Sequence, residues 1–374
     1  MVAGEDRFVS TLNILALNSG SSSLKFGVCR VDSSGAEELL SETVSTAATA
    51  DHREALTRVA SALAGSGLPA PDAIGHRVVH GGRALRQHCL IDDTVMRQLE
   101  AAAAFAPLHT PAALALIRSA QKHFPGIAQV ACFDTQFHAG LPDVARVLPI
   151  ARELLSEGVQ RYGFHGLSLE SIVRQLGDVV PKRLVIAHLG NGASITALKD
   201  GQSIDTSMGL TPSGGVIMGT RSGDLDPGVL VYLMREKQLD AAKLETLIDQ
   251  HSGLLGISGV SGDMRRLHEA AASNRDARLA IEMFGYSVRK QVAAMSAALG
   301  GLDMLVFTGG IGENDARVRS EICEGLGWIG VSLDESRNRA AANPVSDRTS
   351  PCQVLVLASQ EGEQIARHTW ALLA

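Results

Sequence analysis

The sequence has little of what marks a disulfide-bonded, membrane-spanning or nucleic-acid-binding protein. Its five cysteines are scattered, odd in number and without a C-x-x-C pair, which argues against a disulfide framework and favours a reducing compartment. No uninterrupted apolar run is long enough to span a bilayer. Lys and Arg (34) are outnumbered by Asp and Glu (40), and with a net charge of −6 no basic tract points to a nucleic-acid partner.

The N-terminal region also lacks the pattern of a targeting segment. Glu5, Asp6 and Arg7 precede the first apolar run, which is unlike a signal peptide. We therefore expect a cytoplasmic protein with no membrane partner. The acidic balance still permits an anionic substrate, because local arginines reverse the field inside a cleft.

What the chain does contain is the pattern of an α/β protein. At 374 residues and 45% hydrophobic composition it is long enough for two domains with substantial cores, and short apolar runs alternate with helical patterns. The predicted strands are Ile14–Leu17, Ile127–Cys132, Leu184–His188, Met304–Thr308 and Val354–Ala358. The predicted helices are Thr94–Phe105, Pro111–Phe124, Leu167–Leu176, Asp240–Gln250 and Arg275–Leu299.

The most informative segment is Asn13–Val28. An apolar run stops at Asn18-Ser19-Gly20, three serine hydroxyls follow at 21–23, and the chain resumes with an alternating pattern that carries Lys25. Backbone amides, hydroxyls and an ammonium group together suit a bound phosphate. The alternation after the turn is a strand period, so this is not a helix-opening P-loop. An ordinary Ser/Gly turn fits the segment as well.

A second segment repeats this hairpin pattern. Leu184–Leu198 runs from a buried strand through Gly190-Asn191-Gly192 into another strand, and both copies then reach a turn signal, Asp32–Gly35 in the first and Lys199–Gly201 in the second. Such duplication predicts two similar domains. We place the first at 1–150 with the C-terminal helix, about 360–374, and the second at 151–359.

A third glycine-rich turn, Phe307–Asn314, lies between a predicted strand and a helix. Close backbone approach at Gly309, Gly310 and Gly312 suits a flat adenine or ribose, and Glu313 and Asn314 are expected to cap the next helix. A tight strand-to-helix connection is the alternative.

Two arginines lie in glycine-rich segments, Arg77 in GHRVVHGG and Arg221 in MGTRSGD. An arginine fork matches phosphate or carboxylate oxygens, and a surface salt bridge is the alternative for each. His76 and His80 have the spacing of a zinc pair, but Gly81-Gly82 would end any helix and no H-E-x-x-H glutamate is present, so zinc is not expected there.

Two further side chains lie in loops that favour chemistry. His165 lies between glycines and after an aromatic pair. This loop pattern favours an exposed imidazole. The alternative is a packed turn in which the imidazole is buried and hydrogen-bonded. Asp134 ends a buried strand, the position where α/β enzymes carry catalytic groups, although a helix N-cap fits it too.

Ten motifs in order resemble the acetate kinase family, within the superfamily of acetate and sugar kinases, Hsp70 and actin. They are the N-terminal hairpin, GHRVVHGG, FAPLHTP, FDTQFH, RYGFHG, HLGNGAS, DTSMGLTP, MGTRSGDLDPG, SGDMR and FTGGIGEN. The resemblance implies two similar actin-like, ribonuclease H-like domains with a nucleotide cleft between them. It also implies reversible transfer of the ATP γ-phosphoryl group to acetate, with Mg²⁺ or Mn²⁺, in a homodimer.

The resemblance implies roles for individual residues as well. The catalytic set is Arg77, Asp134, His165 and Arg221, and Arg77 with the apolar Val79, Leu108, Phe164 and Pro212 would bind acetate. Asn18 and Glu361 would lie near the metal. The ATP-binding set is Ser21, Ser23, Lys25, His188, Leu189, Gly190, Asn191, Gly192, Asp263, Met264, Arg265, Gly310, Ile311, Gly312, Glu313 and Asn314.

Elementary chemistry agrees with this set. A carboxylic acid is ionised at pH 7, as the glutamate pKa of about 4.3 illustrates, so acetate needs no general base and Asp134 is not expected to be one. The obstacle is the electrostatic repulsion between the acetate anion and the polyanionic triphosphate of ATP. Cations and hydrogen-bond donors must offset this repulsion.

Three points stay open on the sequence alone. Glu363 is the alternative to Glu361 at the metal. Propionate or butyrate is the alternative substrate. A non-catalytic ATP-dependent switch of the Hsp70 or actin type is the alternative of a different class.

Overall fold

The computed structural model describes residues 11–20, 23–45, 52–106 and 110–374. They form two compact units. The first unit contains the described residues up to Gln136, with Gly166–Ser171 and Gln360–Ala374, and the second contains Phe137–His165 and Ile172–Ser359. Sequence analysis placed the boundary later, near residue 150. Phe137–His165 groups with the second unit because Arg161 donates to the carbonyl oxygens of Thr206 and Met208 at 2.7 and 3.2 Å.

The sheet of the first unit has the strand order β3-β2-β1-β4-β6-β5. β1, β2 and β3 form an antiparallel meander, β4 and β6 run parallel to β1, and short β5 closes the edge. The strands are β1 Leu12–Ser19, β2 Ser23–Asp32, β3 Gly35–Ser45, β4 Ala73–Val78, β5 Cys89–Leu90 and β6 Ala128–Phe133.

The sheet of the second unit repeats this arrangement, in the order β11-β10-β7-β8-β9. Here β7, β8 and β9 are the antiparallel meander, and β10 and β11 run parallel to β7. The strands are β7 Arg183–Leu189, β8 Ala193–Lys199, β9 Gln202–Thr206, β10 Met304–Thr308 and β11 Gln353–Val356. Both units therefore have the actin-like, ribonuclease H-like order, and the duplication predicted from the two hairpins is confirmed.

The helices complete each unit. Those of the first unit are α1 His52–Ser66, α2 Asp93–Ala101, α3 Thr110–His123 and α15 Glu361–Leu373, and α6 Gly166–Leu176 begins in it. Those of the second unit are α4 Asp143–Arg146, α5 Glu153–Ser156, α7 Pro227–Glu236, α8 Ala241–Gln250, α9 Gly253–Ser258, α10 Met264–Ala270, α11 Arg275–Leu299, α12 Gly309–Asn314, α13 Ala316–Glu324 and α14 Glu335–Ala340. Single 3₁₀ turns cover Ala102–Phe105, Gln136–His138, Gly177–Val179 and Gly327–Ile329.

The two faces of the first sheet are covered by different helices. Alternate residues of a strand point to opposite faces, so Leu15 and Leu17 of β1 pack with Leu56 of α1 and Leu116 of α3. On the other face, Ile14 packs with Ala366 and Trp370 of α15. The C-terminal helix thus forms part of the first unit, although it ends the chain.

The second unit is built around α11. This helix is capped by Asn274, whose side chain accepts from the backbone N–H groups of Asp276 and Ala277, and it ends at Gly300 in a left-handed conformation. Its buried face repeats at helical spacing, because Ala280, Phe284, Val288 and Val292 are all fully buried. No helix in the described part of the chain is both long enough and apolar enough to cross a membrane.

Buried neutral histidines predict a loss of stability in mild acid. Burial lowers the pKa of His76 and of His138 to about 4, whereas an unfolded histidine titrates near 6.5. As pH falls from about 6.5 towards 4, the unfolded chain binds protons that the native sites refuse, which costs on the order of 3 kcal/mol for each site.

We expect the thermal midpoint to fall between pH 7 and pH 4.5, and to fall less steeply in His76→Gln, which removes one of these sites. A midpoint that is independent of pH over this range, or a slope unchanged in the variant, would contradict the prediction.

Candidate functional site

Four side chains meet in the first unit and form what we call the Arg77 cluster: Asn18, Arg77, Asp134 and Glu361. Asn18 lies near the end of β1, Arg77 near the end of β4, and Asp134 directly follows β6. These three strands are parallel, so their carboxyl ends share one edge of the sheet. Glu361 is the first residue of α15, which starts at this edge.

Asp134 holds the guanidinium of Arg77. Arg77 donates through Nε to both carboxylate oxygens, at 3.1 and 3.0 Å, and through Nη2 to Oδ2 at 2.6 Å. Asp134 is 1% exposed. Burial raises the pKa of its carboxyl group above the usual value, although the charge and hydrogen bonds of Arg77 lower it. Burial likewise opposes the charge of Arg77, but the carboxylates of Asp134 and Glu361 outweigh it and raise the Arg77 pKa. Asp134 is therefore an arginine partner rather than a helix N-cap.

Asn18 connects this pair to Glu361. Its side-chain oxygen accepts from Arg77 Nη1 at 3.2 Å, and its Nδ2 donates to Glu361 Oε2 at 2.6 Å. Within the described residues, Arg77 thus uses three of its five N–H groups on Asp134 and Asn18. Two N–H groups are left to donate to a substrate anion.

The second unit carries what we call the His165 cluster: His165, His188, the loop Gly190–Gly192, Ser194 and Arg221. The loop joins β7 to β8 and is closed by a hydrogen bond of 3.0 Å from Gly190 N to the carbonyl of Gly192. His165 Nδ1 lies 2.9 Å from Ser194 Oγ on β8. Its ring stacks on His188 of β7, with centroids 4.1 Å apart.

Gly192 marks the place where the side chains of Arg221 and His165 converge. A Cβ at this position would lie 3.2 Å from Arg221 Nη1 and 3.4 Å from His165 Nε2. Arg221 Nη1 also donates to the carbonyl oxygen of Pro212 at 3.2 Å. A guanidinium and an imidazole therefore border the same glycine-rich loop, an arrangement that suits a phosphoryl group.

The third glycine-rich turn forms α12 and adjoins this loop. β10 pairs with β7 as far as Thr308 opposite His188, and a Cβ on Gly190 would lie 4.0 Å from the backbone nitrogen of Gly310. The next residues, Ile311 and Gly312, continue the helix. Gly309, Gly310 and Gly312 thus carry little bulk beside the loop.

The expected capping role of Glu313 and Asn314 is wrong. Asp315 caps α13 by accepting from Val318 N at 3.0 Å. Glu313 instead accepts from the backbone N–H groups of Gly309 and Ser359, at 3.0 and 2.9 Å, and Asn314 donates to the carbonyl of Gly310 at 2.9 Å. Both side chains brace the turn itself, because its backbone groups lie within their reach and the first turn of α13 is already satisfied.

The segment predicted to surround the nucleoside lies near Asn191. Gly219 N donates to the carbonyl of Asn191 at 3.1 Å, and a Cβ on Gly219 would lie 3.0 Å from the carbonyl oxygen of Gly262. Asp263 then caps α10 and pairs with the exposed Arg265 at 2.7 Å. Met264, between them, is buried at 3% exposure and belongs to the core.

The remaining predicted residues divide between the units. Lys25 is exposed on β2, opposite Asn18 in the register, and the carbonyl of Ser23 accepts from Gly20 N at 2.8 Å across the hairpin turn. Val79 is buried in the first unit. Buried residues of the second unit are Phe164, Leu189 and Pro212. Ser21 and Leu108 lie outside the described residues.

A cluster that the sequence did not predict contains His88, Glu170 and His368, whose ring nitrogens and carboxylate oxygens lie within 4.8 Å of one another. His368 Nε2 bonds Glu170 Oε2. His88 Nδ1 accepts from Phe133 N at 3.0 Å, so the proton of neutral His88 is on Nε2. That proton occupies the nitrogen a metal ion would need, and we interpret the cluster as a hydrogen-bonded link between α6 and α15. Its members are far apart in sequence, and no motif signals it.

The chain matches known proteins over most of its length. The model of the acetokinase family matches residues 13–367. An acetate kinase of Methylocella silvestris is 47% identical over 86% of this chain and 80% of its own length, and one of Brachyspira hyodysenteriae is 41% identical over 96% and 100%.

Solved structures give the same result. The acetate kinase of Porphyromonas gingivalis superposes with a TM-score of 0.82 at 36% identity, covering 97% of this chain and 100% of that chain. A propionate kinase of Francisella tularensis superposes with a TM-score of 0.86 at 35% identity, covering 96% and 100%.

Proposed function

Because the chain belongs to the acetokinase family, we propose that it transfers the γ-phosphoryl group of ATP to acetate, reversibly, giving acetyl phosphate and ADP. The observation that carries the proposal is the convergence of Arg221 Nη1 and His165 Nε2 on Gly192. The curated relatives are named acetate kinase, and the match covers 76 to 100% of their own length.

The reaction is a direct in-line displacement. Ionised acetate is already a nucleophile at pH 7, since a carboxylic acid has a pKa of about 4 to 5, and no group is needed to take its proton. Arg77, oriented by Asp134, presents its remaining N–H groups to acetate and the transferring phosphoryl group. His165 and Arg221 stabilise the charge on the equatorial oxygens.

ATP is proposed to bind through the loops of the second unit. Gly190–Gly192 and α12 bring backbone amides close to the phosphates and the nucleoside, and Asp263–Arg265 adjoins them through Gly219. Lys25 and the serines of the first hairpin supply further donors to the phosphates. Each assignment is a proposal from position and chemistry.

Mg²⁺, or Mn²⁺ in its place, is proposed to act beside Glu361. Carboxylate oxygen is the ligand type that Mg²⁺ prefers, usually with several retained waters. The amide oxygen of Asn18 bonds Arg77, and its amide nitrogen bonds Glu361, so Asn18 orients Glu361 more readily than it coordinates the ion. When bound, the ion neutralises phosphate charge.

Acetate is proposed as the preferred acid because a side chain smaller than that of Val79 would be needed to admit another methylene. Val79 is 8% exposed and Phe164 is 1% exposed, and Pro212 is buried as well. One extra methylene changes binding by only about 1–3 kcal/mol, so propionate should be a weaker substrate. The similarity to a propionate kinase makes this the specific alternative.

A hydroxamate assay tests the activity directly. Purified protein with ATP, Mg²⁺ and acetate should form acyl phosphate that hydroxylamine traps, with kcat/KM for acetate above that for propionate. If kcat/KM is higher for propionate than for acetate, propionate is the preferred substrate. ATP binding without any acyl phosphate would favour the ATP-dependent switch.

The protein is further proposed to act as a homodimer in the cytoplasm. The five cysteines are all free thiols, as expected in a reducing compartment. On α7, which buries none of its residues, Val229, Val231, Tyr232 and Met234 are all 41 to 54% exposed. Four exposed apolar side chains on one helix support an interaction surface there.

A charge introduced on α7 should separate the proposed dimer. We expect Val231→Asp to reduce the mass measured by light scattering from two chains to one at micromolar concentration, because an unpaired carboxylate would be buried in the interface. The matched exposed position Val179→Asp, outside α7 and 68% exposed, should leave the mass unchanged. A monomeric wild-type protein would contradict the proposal.

A further inference from the structure

His138 is a buried histidine with no assigned role, and it lies directly against the loop that carries His165. It ends the 3₁₀ turn after Asp134 and is 2% exposed. Its Nε2 lies 3.0 Å from the carbonyl oxygen of Phe164, and its Nδ1 lies 2.8 Å from Ser203 Oγ of β9. Both ring nitrogens are therefore engaged inside the second unit.

These contacts fix the tautomer of the imidazole. A carbonyl oxygen only accepts, so Nε2 carries the proton and donates to Phe164. Nδ1 is then the acceptor for the Ser203 hydroxyl. Burial lowers the His138 pKa to about 4, so the ring is neutral at pH 7 and keeps this arrangement.

The backbone beside His165 needs such support. His165 is in the left-handed region with φ of 60°, a strained conformation for a non-glycine residue that persists only where the surrounding structure imposes it. The carbonyl of Phe164 belongs to the same peptide plane as the backbone nitrogen of His165. A donor that holds this carbonyl therefore sets the orientation from which the His165 side chain departs.

The fit between the ring and the loop is close. Gly163 has φ of 75°, and a Cβ there would lie 2.6 Å from Cγ and Cδ2 of His138. The imidazole thus packs directly on the backbone of Gly163, without a side chain between. This contact leaves the ring little freedom to move away from the Phe164 carbonyl.

We propose that His138 is a positioning residue for phosphoryl transfer, acting by holding the Phe164–His165 peptide so that the His165 imidazole meets the transferring group. This inference rests on the role proposed for His165. Ser194 and His188 orient the imidazole from the side-chain end, and His138 orients its backbone.

Two substitutions separate the contacts of His138. In His138→Gln the amide nitrogen reaches the Nε2 position and keeps a donor for Phe164. In His138→Asn the amide oxygen replaces Nδ1 towards Ser203, and the donor to Phe164 is lost. We expect kcat to fall on the order of 10-fold to 10²-fold in His138→Asn, as for a small misplacement of a reacting group. We expect it to stay within about 3-fold of wild type in His138→Gln, with KM for ATP and acetate little changed in both.

A double-mutant cycle shows whether His138 acts through His165. In a His165→Ala background the His138→Asn substitution should lower kcat little further, because the effects of substitutions at interacting residues are not additive. A purely structural role would instead lower kcat by the same factor in both backgrounds. The control is Tyr162→Phe, which removes a buried hydrogen bond to the Gly158 carbonyl in the same loop and should leave kcat near wild type.

The outcomes distinguish the two proposals. Normal turnover in His165→Ala overturns the role of His165 and this inference with it. Low turnover in His165→Ala with normal turnover in His138→Asn overturns this inference alone. If neither His138 variant folds, Ser203→Ala keeps the ring but releases Nδ1. Because Ser203→Ala retains the Nε2 donor to the Phe164 carbonyl, kcat should stay within about 3-fold of wild type, as in His138→Gln, and a fall of 10-fold or more would overturn the inference.

Discussion

Replacing Arg221 with alanine is expected to lower kcat by about 10²-fold or more, the loss typical of a missing charge-stabilising donor. The guanidinium borders the Gly190–Gly192 loop and shares the Gly192 position with His165 Nε2. Charge in the transition state spreads over the phosphoryl oxygens, and a fixed fork of donors stabilises it without reorganisation. KM for acetate should change less than kcat if the contact forms mainly in the transition state.

Arg221→Lys should give an intermediate rate, because lysine keeps the charge but has no bidentate fork. The matched control is Arg183→Ala. Arg183 is also an arginine of the second unit and bonds Asp303 at 3.0 Å, but it begins β7, whose other end carries the loop. Arg183→Ala should therefore lower the thermal midpoint and leave kcat near wild type. Near-normal turnover of folded Arg221→Ala would refute the assignment.

The strand and helix pattern could be predicted from sequence because it depends on local periodicity and turn chemistry. Met304–Thr308 and Arg275–Leu299 are observed with the bounds predicted, the first as a continuous apolar run and the second as a long amphipathic repeat between Asn274 and Gly300. The helix predicted over Thr94–Phe105 ends early, at Ala101, and continues as a 3₁₀ turn. The alanines there carry no signal for where the α-helix stops.

Long-range partners could not be predicted in the same way. Asn18 and Glu361 are 343 positions apart, and only the packing of α15 on the first sheet brings them to 2.6 Å. From sequence alone, Asp134 could equally have capped a helix, because its neighbours in sequence do not show that Arg77 lies within hydrogen-bonding distance. His138 was visible in the FDTQFH motif, but its contact with the Phe164 carbonyl depends on the positive φ of Gly163. Such contacts follow from the fold, not from neighbouring residues.

The choice between Glu361 and Glu363 at the metal is where this long-range information matters most. Glu361 accepts from Asn18 at 2.6 Å and its charge raises the pKa of Arg77, so it belongs to the Arg77 cluster. Glu363 pairs with Arg367, one turn further along α15, at 2.8 Å. It lies near Cys29 on β2, whose thiol pKa is raised mainly by burial and then by the charges of Glu38 and Glu363. Side chains two residues apart on a helix point to different faces.

We therefore expect Glu361→Ala to raise the Mg²⁺ concentration for half-maximal activity by at least about 10-fold, the lower end of the loss that follows removal of a metal-site group. Glu363→Ala should leave this concentration within about 2-fold, because Glu363 bonds Arg367 and lies outside the Arg77 cluster. The concentration for half-maximal activity is measured for both variants by titrating Mg²⁺ or Mn²⁺ at saturating ATP and acetate. Electron paramagnetic resonance measures Mn²⁺ binding to both variants without turnover. The reverse order of effects would move the metal role to Glu363. Equal and small effects would show that neither carboxylate holds the ion and that the phosphates of ATP carry it alone.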